Sequence, residues 1–316
     1  MERPMQYAYE VYKQKSFSKA AEKLYISQPA LSAIIKKLED SLGVPLFDRS
    51  TKPVSLTPAG EYYIHCAEEI TAVETGMQQY FDDMLALKKG SVRIGASTYF
   101  CSNVLPDVLR GFRDLYPYLS VHLVESNSTP ELREKLLSKE IDFALTSNTY
   151  PTEDYECLEL GFETIILAVP ADHPINEELS ALRYSYAEIV DLLSLSNRED
   201  AVIRRTPLHH FHNESFITID RISDLYPRIL TMFREEGVTP NIVMHLQQMS
   251  SCYFMAANGF GCAFLRSSTL QTVKDTGRLY FYCIDSPHAS RMTRLYFKRG
   301  GYMSRAMNAF MEFVRP

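Results

Sequence analysis

The stretch YISQPALSAIIKKLE, residues 25–39, carries the strongest structural signal in the chain. Ser27 is a typical helix cap, and Pro29 then falls in the first helical turn, where backbone N–H groups have no intrahelical acceptor. Apolar residues recur along one side of the helix that follows, and Gly43 ends it. The opposite face is small, polar and basic, and consists of Gln28, Ser32, Ala33, Lys36 and Lys37.

A shorter helix precedes this one. The stretch SFSKAAEKL, residues 16–24, begins with the capping residues Ser16 and Ser18 and turns one apolar side inward. A turn over residues 25–27 leads to the next helix, whose apolar positions are Leu31, Ile34, Ile35, Leu38 and Leu42. Two short helices joined by such a turn indicate a helix-turn-helix, whose second helix can enter the major groove of DNA.

The segment after Gly43 predicts a basic wing. In VPLFDRSTKPVSLTPAG, residues 44–60, basic residues lie in a turn-rich stretch before a short extended run over 53–56, where they can reach flanking phosphates or a minor groove. A merely solvated helix face is the competing interpretation, and the adjacent wing argues against it. The predicted DNA-contacting residues are Ser27, Gln28, Pro29, Ser32, Lys36, Lys37, Arg49, Ser50 and Lys52.

Charge is distributed unevenly along the 316 residues. Residues 1–60 contain nine basic and six acidic side chains, a net charge of +3, so the remaining 256 residues carry −9 of the total of −6. A small basic segment on an acidic body suits a local contact with double-stranded DNA.

At this point a family resemblance becomes visible. Residues 16–61 resemble the winged helix-turn-helix of LysR-type transcriptional regulators nearly position by position over about 45 residues. The resemblance implies a sequence-specific DNA-binding regulator that is controlled by a small-molecule effector and that contacts RNA polymerase. The chain contains no nucleophile elbow, phosphate loop or metal signature, so we predict that it is not an enzyme and uses no cofactor or metal.

A long helix follows the wing. Thr57 is a suitable N-cap with Pro58 at the first helical position, and the helical pattern runs to about Lys88. Apolar residues at spacings of three and four predict a coiled-coil seam, although packing against the chain's own globular domain is an alternative. The resemblance implies dimerisation through this helix, with pairing of dimers into a tetramer left open. The seam positions are Tyr63, Cys66, Ile70, Val73, Met77, Tyr80, Met84 and Leu87.

Strand and helix patterns alternate in the acidic remainder. Strands over 91–97, 120–126 and 141–147, with helices over 103–114 and 129–140 and Thr129 as a cap, indicate a parallel sheet with helices on its faces. A second unit has predicted strands at 164–170, 215–220, 241–246 and 261–266, and helices near 224–236 and 250–258. The stretches LYFYCID and RLYFKRG and a last helix to Phe313 are expected to return to the first unit.

The predicted fold class is therefore α/β with an N-terminal winged helix-turn-helix and a long linker helix. The resemblance implies a two-subdomain effector domain similar to periplasmic solute-binding proteins, with two crossing strands and a ligand cleft between the subdomains. The predicted domains are residues 1–58 for DNA binding, 59–89 for the linker and 90–316 for the effector, the last divided into subdomain I (90–163 and 267–316) and subdomain II (164–266).

Hydroxyl groups cluster where the predicted strands of the first subdomain end. Ligands of parallel sheets bind beyond the carboxyl ends of the strands. Each hydroxyl alone could be an ordinary cap, but six at three successive strand ends favour a polar cleft. These residues are Ser97, Thr98, Ser128, Thr129, Thr146 and Ser147, and the resemblance adds Thr218, Met249 and Ser250 from the second subdomain.

The segment over 180–214 is longer than is usual in the family and contains RRTPLHHFHNES. The spacing of His209, His210 and His212 matches no strong metal signature, so a surface loop that covers the cleft is the preferred interpretation. Arg204 and Arg205 are candidates for attracting an anionic effector such as a carboxylate.

No apolar run approaches the roughly 18 residues of a membrane span, and the start MERPMQYAYEVYKQ lacks the apolar core of an export signal. The six cysteines show no CxxC pattern, and in a reducing compartment most should be free thiols. We therefore expect a cytoplasmic protein without membrane contact. A thiol-redox switch through Cys252 and Cys262 is an alternative mode of control, although both lie in apolar runs typical of buried thiols. An enzyme fused to a DNA-binding domain is a further, weaker alternative.

Overall fold

The computed structural model describes residues 3–84, 90–194, 203–221 and 223–315. The chain divides into two compact units. The first comprises Met1–Gly90, Glu134–Glu140 and Gly300–Arg305, and the second comprises Ser91–Arg133, Ile141–Arg299 and Ala306–Pro316.

The first unit begins with three helices, a two-stranded wing and a long fourth helix. These elements are α1 (Arg3–Gln14), α2 (Phe17–Lys23), α3 (Gln28–Leu42), β1 (Phe47–Asp48), β2 (Ser55–Leu56) and α4 (Pro58–Met84). Strands β1 and β2 pair antiparallel. The extended run predicted over 53–56 is a strand only from Ser55.

The caps of α2 and α3 follow from side-chain chemistry. Ser16 Oγ accepts a hydrogen bond from Lys19 N at 3.4 Å, and Ser27 Oγ accepts one from Ala30 N at 3.3 Å. Gly43 ends α3 with φ of +74°, a backbone conformation that glycine adopts without strain. The prediction of Ser18 as a second cap was wrong, because Ser18 lies inside α2 and Ser16 already accepts from its first turn.

Apolar side chains of the three helices and the wing form one core. The prediction that one face of α3 is buried is confirmed for Leu31 and Ile35, whereas Leu42 in its last turn is 44% exposed. Each fully buried Leu or Ile contributes about 1.5–3 kcal/mol relative to an exposed position. The fully buried members of this core are Ala8, Val11, Ala20, Leu31 and Ile35.

Helix α4 begins as predicted. Thr57 Oγ1 accepts a hydrogen bond from Gly60 N at 3.0 Å, and Pro58 occupies the first helical position. The described helix ends at Met84, so the predicted extension to Lys88, including Leu87, lies outside the described residues. No helix in the described ranges is both long and apolar enough to cross a membrane.

The second unit alternates strands and helices. Along the chain it begins with β3 (Ser91–Ala96), α5 (Thr98–Asn103), α6 (Leu105–Leu115), β4 (Ser120–Glu125), α7 (Thr129–Leu137, which belongs to the first unit from Glu134), β5 (Phe143–Thr146), β6 (Tyr155–Pro170), α8 (Ile175–Glu178) and α9 (Tyr186–Ser194). It continues with β7 (Arg205–Thr206), β8 (Ser215–Ile219), α10 (Leu225–Glu235), β9 (Asn241–Leu246), α11 (Met249–Ala257), β10 (Cys262–Arg266), β11 (Leu279–Ile284), β12 (Ser290–Lys298) and α12 (Arg305–Val314, which belongs to this unit from Ala306).

Two predicted helices of this unit differ at their ends. The helix expected over about 103–114 is α6, Leu105–Leu115, and Val104 separates it from the unpredicted α5, since Pro106 lacks an N–H and fits only the first turn of a helix. The helix expected over 129–140 ends at Leu137. Its cap is Ser128 rather than Thr129, because Ser128 Oγ accepts from Glu131 N at 3.3 Å.

The strands form one continuous order, β4-β3-β5-β12-β6-β10-β8-β9. Strands β3, β4 and β5 are parallel, as are β8, β9 and β10. The long strand β6 joins these two groups of parallel strands, because its first part pairs antiparallel with β12 and its last part with β10. We call β3, β4, β5 and β12 with the first part of β6 the first half of the unit, and β8, β9 and β10 with the last part of β6 the second half.

Strand β11 departs from the prediction. The LYFYCID stretch pairs with β6 from Leu279 opposite Pro170 to Cys283 opposite Ile166, so it extends the second half instead of returning to the first. The reason is burial on both faces, since Leu279, Phe281, Tyr282, Cys283 and Ile284 all belong to the second half's core.

Candidate functional site

In the first unit, the polar face of α3 is exposed to solvent. Gln28, Pro29, Lys36 and Lys37 are exposed and Ser32 is half-buried. Gln28 Nε2 donates a hydrogen bond to Ser32 Oγ at 2.9 Å, which orients the Gln28 amide along the helix. Exposed amide, hydroxyl and ammonium groups on one helix face can reach base edges and phosphates.

The wing is fastened to α3 by Glu39, a residue that the sequence analysis did not single out. Glu39 Oε1 accepts hydrogen bonds from the backbone N–H groups of Leu46 and Phe47 at 2.8 and 3.2 Å. Its Oε2 pairs with Arg49 Nη2 at 3.0 Å, while the Arg49 guanidinium lies 4.7 Å from the centre of the Phe17 ring. Arg49 therefore has a fixed position beside the helix-turn-helix.

The other predicted wing residues differ in their contacts. Ser50 donates from N and Oγ to Asp48 Oδ1, at 2.9 and 2.6 Å, and these bonds lower the pKa of the Asp48 carboxyl. Lys52 is exposed. The arrangement presents basic side chains on a short turn between β1 and β2.

In the second unit, the Thr98 hydroxyl that follows β3 already makes hydrogen bonds. Thr98 Oγ1 donates to Glu125 Oε1 at 2.6 Å and accepts from Asn127 Nδ2 at 3.1 Å. Ser97 is the N-cap residue of α5, without a side-chain capping bond. The ends of β3 and β4 therefore meet in one polar group, as expected for neighbouring parallel strands.

Asn148, which follows β5, bonds residues of β5, α7 and β12. Its backbone N donates to Thr146 Oγ1 at 3.0 Å, and its Nδ2 donates to Thr129 Oγ1 at 2.9 Å. Its Oδ1 accepts from Arg291 Nη1 at 3.5 Å. Two of the predicted hydroxyls thus converge on an amide that the sequence analysis did not name.

The predicted residues of the second half are more deeply placed. Thr218, near the end of β8, is fully buried, and its Oγ1 has no hydrogen-bond partner among the described residues. Met249 is buried and Ser250 half-buried at the start of α11. An unpaired buried hydroxyl costs about 1–3 kcal/mol, so Thr218 is a candidate point of ligand or water contact.

A buried charge cluster lies where the two halves meet. Glu163 Oε1 accepts from Arg228 Nη1 at 2.7 Å, and its Oε2 accepts from Arg266 Nη1 at 2.5 Å and Ser147 Oγ at 2.9 Å. Asp224 Oδ1 accepts from Arg266 Nη2. We call Glu163, Asp224, Arg228, Arg266 and Arg291 the arginine cluster. Because Ser147 follows β5 whereas Arg228 and Arg266 belong to α10 and β10, Glu163 binds both halves together.

Aromatic contacts reinforce this junction. The Arg266 guanidinium lies 4.5 Å from the centre of the Tyr99 ring, and the Tyr99 hydroxyl bonds Ser268 Oγ. Thr272 Oγ1 donates to Asn103 Oδ1 at 2.7 Å. Burial raises the pKa of the Tyr99 phenol, so it stays protonated. Helix α5 of the first half is thereby connected to the segment after β10.

The sequence analysis missed these residues although their patterns were visible. Arg228 lies among the apolar positions of α10, and Arg266 ends the apolar strand GCAFLR. A charge inside an apolar pattern indicates a buried ion pair, because an unpaired buried charge is too costly. The pairing itself joins residues 65 and 103 positions apart, which no local pattern reveals.

Comparison with known proteins identifies the family. The family described as bacterial regulatory helix-turn-helix protein, lysR family, matches residues 3–61, and the LysR substrate binding domain matches residues 86–185 and 198–316. The chain belongs to the LysR family. This LysR-type protein is a transcriptional regulator with a helix-turn-helix and an effector-binding domain, which confirms the predicted fold class and general function.

Individual relatives agree with this assignment. The LysR-type chain is 30% identical over 313 residues to the uncharacterized HTH-type transcriptional regulator YcgK of Bacillus subtilis (strain 168), covering 98% of this chain and 93% of that protein. It is 27% identical to a probable RuBisCO transcriptional regulator of Nostoc sp., covering 95% and 83% of the two chains. These relatives are named as regulators rather than as enzymes.

Two solved structures share the fold. A full-length OxyR variant from Pseudomonas aeruginosa has a TM-score of 0.65 at 21% identity, covering 98% of this chain and 93% of that one. CbnR, a LysR family transcriptional regulator, has a TM-score of 0.59 at 18% identity, covering 99% and 98%. At such identities the likeness concerns the fold alone.

The thiols of the LysR-type chain are poorly suited to redox control. Cys252 and Cys262 are buried, and burial raises the pKa of each thiol to about 12. Burial likewise raises the pKa of Cys101 and Cys283 to about 11 and raises that of the exposed Cys157. The thiolate is the reactive form, so these shifts argue against the thiol-switch alternative.

In the histidine segment, His209, His210 and His212 are exposed, as expected of a surface loop, but the segment is also anchored in the core. Residues 208–211 form a 3₁₀ turn whose Leu208 and Phe211 are fully buried in the core of the second half. His209 Nδ1 lies 2.7 Å from Glu236 Oε2. Across the described ranges, no group of three or more His, Cys, Asp or Glu side chains is arranged to hold a metal ion.

Arg204 and Arg205 do not join the arginine cluster. Arg204 pairs with Glu188 at 3.3 Å and stacks 3.9 Å from the centre of the Tyr184 ring. Arg205 belongs to β7, which pairs with β11. Their attraction for an anionic effector stays a prediction.

Proposed function

We propose that this LysR-type regulator binds operator DNA as a dimer and that a small molecule bound between the two halves of its effector-binding domain controls this binding. The observation that carries the proposal is the convergence of Ser147, Arg228 and Arg266 on Glu163. These side chains come from both halves, so a ligand that contacts this junction has to change the free energy of their relative orientation. A ligand can alter DNA binding only if it changes this orientation free energy.

The proposed DNA contacts are those predicted from the sequence. Gln28 and Ser32 read base edges in the major groove, and Lys36 and Lys37 bind phosphates. The wing residues Arg49, Ser50 and Lys52 contact flanking phosphates. Ser27 and Pro29 set the start of α3 and so its angle of entry.

The proposed effector contacts come from both halves. They are the predicted residues Ser97, Thr98, Ser128, Thr129, Thr146, Ser147, Thr218, Met249 and Ser250. The unpaired hydroxyl of Thr218 and the bonds of Asn148 to Thr129 and Thr146 support this set. The proposed domain division remains 1–58, 59–89 and 90–316.

The proposed dimer forms through α4. Its support is a stripe of exposed apolar side chains, among them Ile70 at 40% and Val73 at 72% exposure, followed by Met77, Tyr80 and Phe81. Exposed apolar side chains at heptad spacing gain burial by pairing with a second copy. Tetramer formation, contact with RNA polymerase and a cytoplasmic location remain parts of the proposal.

A ligand screen followed by operator binding tests the control step. Thermal unfolding of the full chain in the presence of small carboxylates, amino acids and sugars identifies ligands, because a bound ligand raises the unfolding temperature. Fluorescence anisotropy then measures operator affinity with and without each ligand that binds. In the double variant Thr98→Val, Thr218→Val the ligand's effect on operator affinity should be lost.

The matched control is Thr231→Val. The Thr231 hydroxyl bonds only groups of α10 itself, Pro227 O and Arg234 Nη2, and is not among the proposed effector contacts, so this variant should keep the full response. Unchanged ligand affinity in the double variant, measured by calorimetry, would show that the effector binds elsewhere.

A further inference from the structure

The arginine cluster contains an excess of positive charge. Its guanidinium groups are Arg228, Arg266 and Arg291, and its carboxylates are Glu163 and Asp224. Arg228 and Arg266 are almost completely buried, and both pair with carboxylates of the cluster. One guanidinium is therefore left without a carboxylate of its own among the described residues.

That guanidinium belongs to Arg291. It lies on β12 directly opposite Glu163 on β6, so the two side chains emerge on the same face of the sheet. Both Glu163 oxygens are nevertheless taken up by other groups, Arg228 on one side and Arg266 and Ser147 on the other. The hydrogen bond found for Arg291 is a long one, 3.5 Å to the neutral amide oxygen of Asn148.

The electrostatic environment of Arg291 is unfavourable for a cation. Burial lowers the pKa of its guanidinium, and Arg228 and Arg266 lower it further against the opposing effects of Asp224 and Glu163. A half-buried cation beside two others is destabilised unless an anion joins it. The sequence thus keeps a costly charge at the point where the two halves meet.

We propose that the effector is a small organic acid whose carboxylate is bound by Arg291, with Asn148 and Thr129 as neighbouring polar contacts. This inference rests on the proposed function, since it names the ligand class of the same site. The planar guanidinium matches a carboxylate with two parallel hydrogen bonds. The arginine cluster has an excess of one positive charge, and one carboxylate neutralises it. A phosphate monoester would instead bring about two negative charges.

The first test needs no ligand. Thermal unfolding is compared for the full-length wild type, Arg291→Gln and the control Arg294→Gln, which lies on the same strand and loses an ion pair with Glu159. Removing an unpaired charge should leave the unfolding temperature of Arg291→Gln unchanged or raise it. A fall larger than that of Arg294→Gln would show that Arg291 is a structural ion-pair partner and would overturn the proposal.

The second test uses formate, the smallest carboxylate. At equal ionic strength, sodium formate should raise the unfolding temperature of the wild type and of Arg294→Gln by about 1–2 °C more than sodium chloride does. Arg291→Gln should lose this difference. An equal formate effect in wild type and Arg291→Gln, or no formate effect in the wild type, would overturn the proposal.

Two further measurements test whether the bound group is a carboxylate and whether it needs the planar guanidinium. Methyl phosphate should give a smaller shift than formate, and a larger Arg291-dependent shift would assign the site to phosphate esters instead. If Arg291→Gln does not fold, Arg291→Lys keeps the charge but loses the planar fork, and it should retain less than half of the formate shift. A full formate shift in Arg291→Lys would contradict bidentate recognition.

Failure of this inference is distinguishable from failure of the proposed function. A neutral ligand that changes operator affinity equally in wild type and Arg291→Gln would overturn the carboxylate assignment and leave effector control intact. A formate effect that depends on Arg291, without any ligand that changes operator binding, would instead establish the anion site and contradict the proposed control.

Discussion

Helix α3 and helix α10 place basic side chains in opposite environments. In α3, Lys36 and Lys37 are exposed and lie next to the buried Ile35. In α10, Arg228 lies between the buried residues Leu225 and Ile229 and is itself almost fully buried. The first arrangement keeps cations available for a partner outside the chain, and the second uses a cation to bind two parts of the same domain.

The difference shows how far local sequence can report on function. An exposed cation costs little, so its position needs no specific partner and follows from helical periodicity alone. A buried cation is stable only beside a carboxylate, here Glu163, which is supplied by a distant strand. The DNA-binding region can therefore be predicted from residues that are close together in the sequence, whereas the effector-binding junction forms only in the folded domain.

The largest expected effect is that of Glu163→Gln. It leaves Arg228 and Arg266 buried without their shared carboxylate and should lower the free energy of unfolding of the effector-binding domain by about 3–5 kcal/mol. Chemical denaturation measures this loss. The control Glu159→Gln removes the exposed partner of Arg294 and should cost at most about 1 kcal/mol. Equal losses of unfolding free energy in the two variants would show that the buried and the exposed ion pairs contribute alike.

A smaller but still large effect is expected for charges on the apolar stripe of α4. The double variant Ile70→Asp, Val73→Asp places two carboxylates where a second copy should pack, so the dimer should weaken more than 100-fold, or about 2.7 kcal/mol. Sedimentation at micromolar concentration measures it. His65→Asp, an exposed position off the stripe, should remain dimeric. Intact dimers in the double variant would place the association elsewhere.

The exposed face of α3 should show an effect on specificity. Gln28→Ala should reduce discrimination between operator and random DNA by roughly 1–3 kcal/mol, because it removes an amide that reads base edges. Lys37→Ala should weaken binding to both DNAs alike, since a phosphate contact carries no sequence information. Competition binding at fixed salt separates the two. If Gln28→Ala weakens both DNAs equally, the reading face has been misassigned.

The smallest effect is expected at the buried thiols. With pKa values raised to about 12, Cys252 and Cys262 should remain protonated and unmodified by iodoacetamide at about pH 8 in the native protein, and both should react after unfolding. Mass spectrometry measures the extent of alkylation, with the exposed Cys157 as an internal reference. Rapid alkylation of Cys252 in the native protein would contradict this prediction and support thiol-based control.

The tertiary structure corrected the sequence analysis at particular elements. Strand β11 was assigned to the wrong half, because an apolar run that is buried on both faces fits either sheet equally well. In the histidine segment the histidines are exposed as expected of a surface loop, but Leu208 and Phe211 supply buried side chains to the core. Both findings concern residues whose position is decided by distant partners.

The sequence by itself determined the helix-turn-helix, because its caps, turn and apolar periodicity act over three or four residues at a time. It also determined the family and the alternation of strands and helices in the remainder. Only the tertiary structure decided that Glu163, Arg228, Arg266 and Arg291 share one site. The physical reason is that electrostatic pairing inside a protein is set by distance in space, and these residues are brought together by pairing of β6 with β12 and β10.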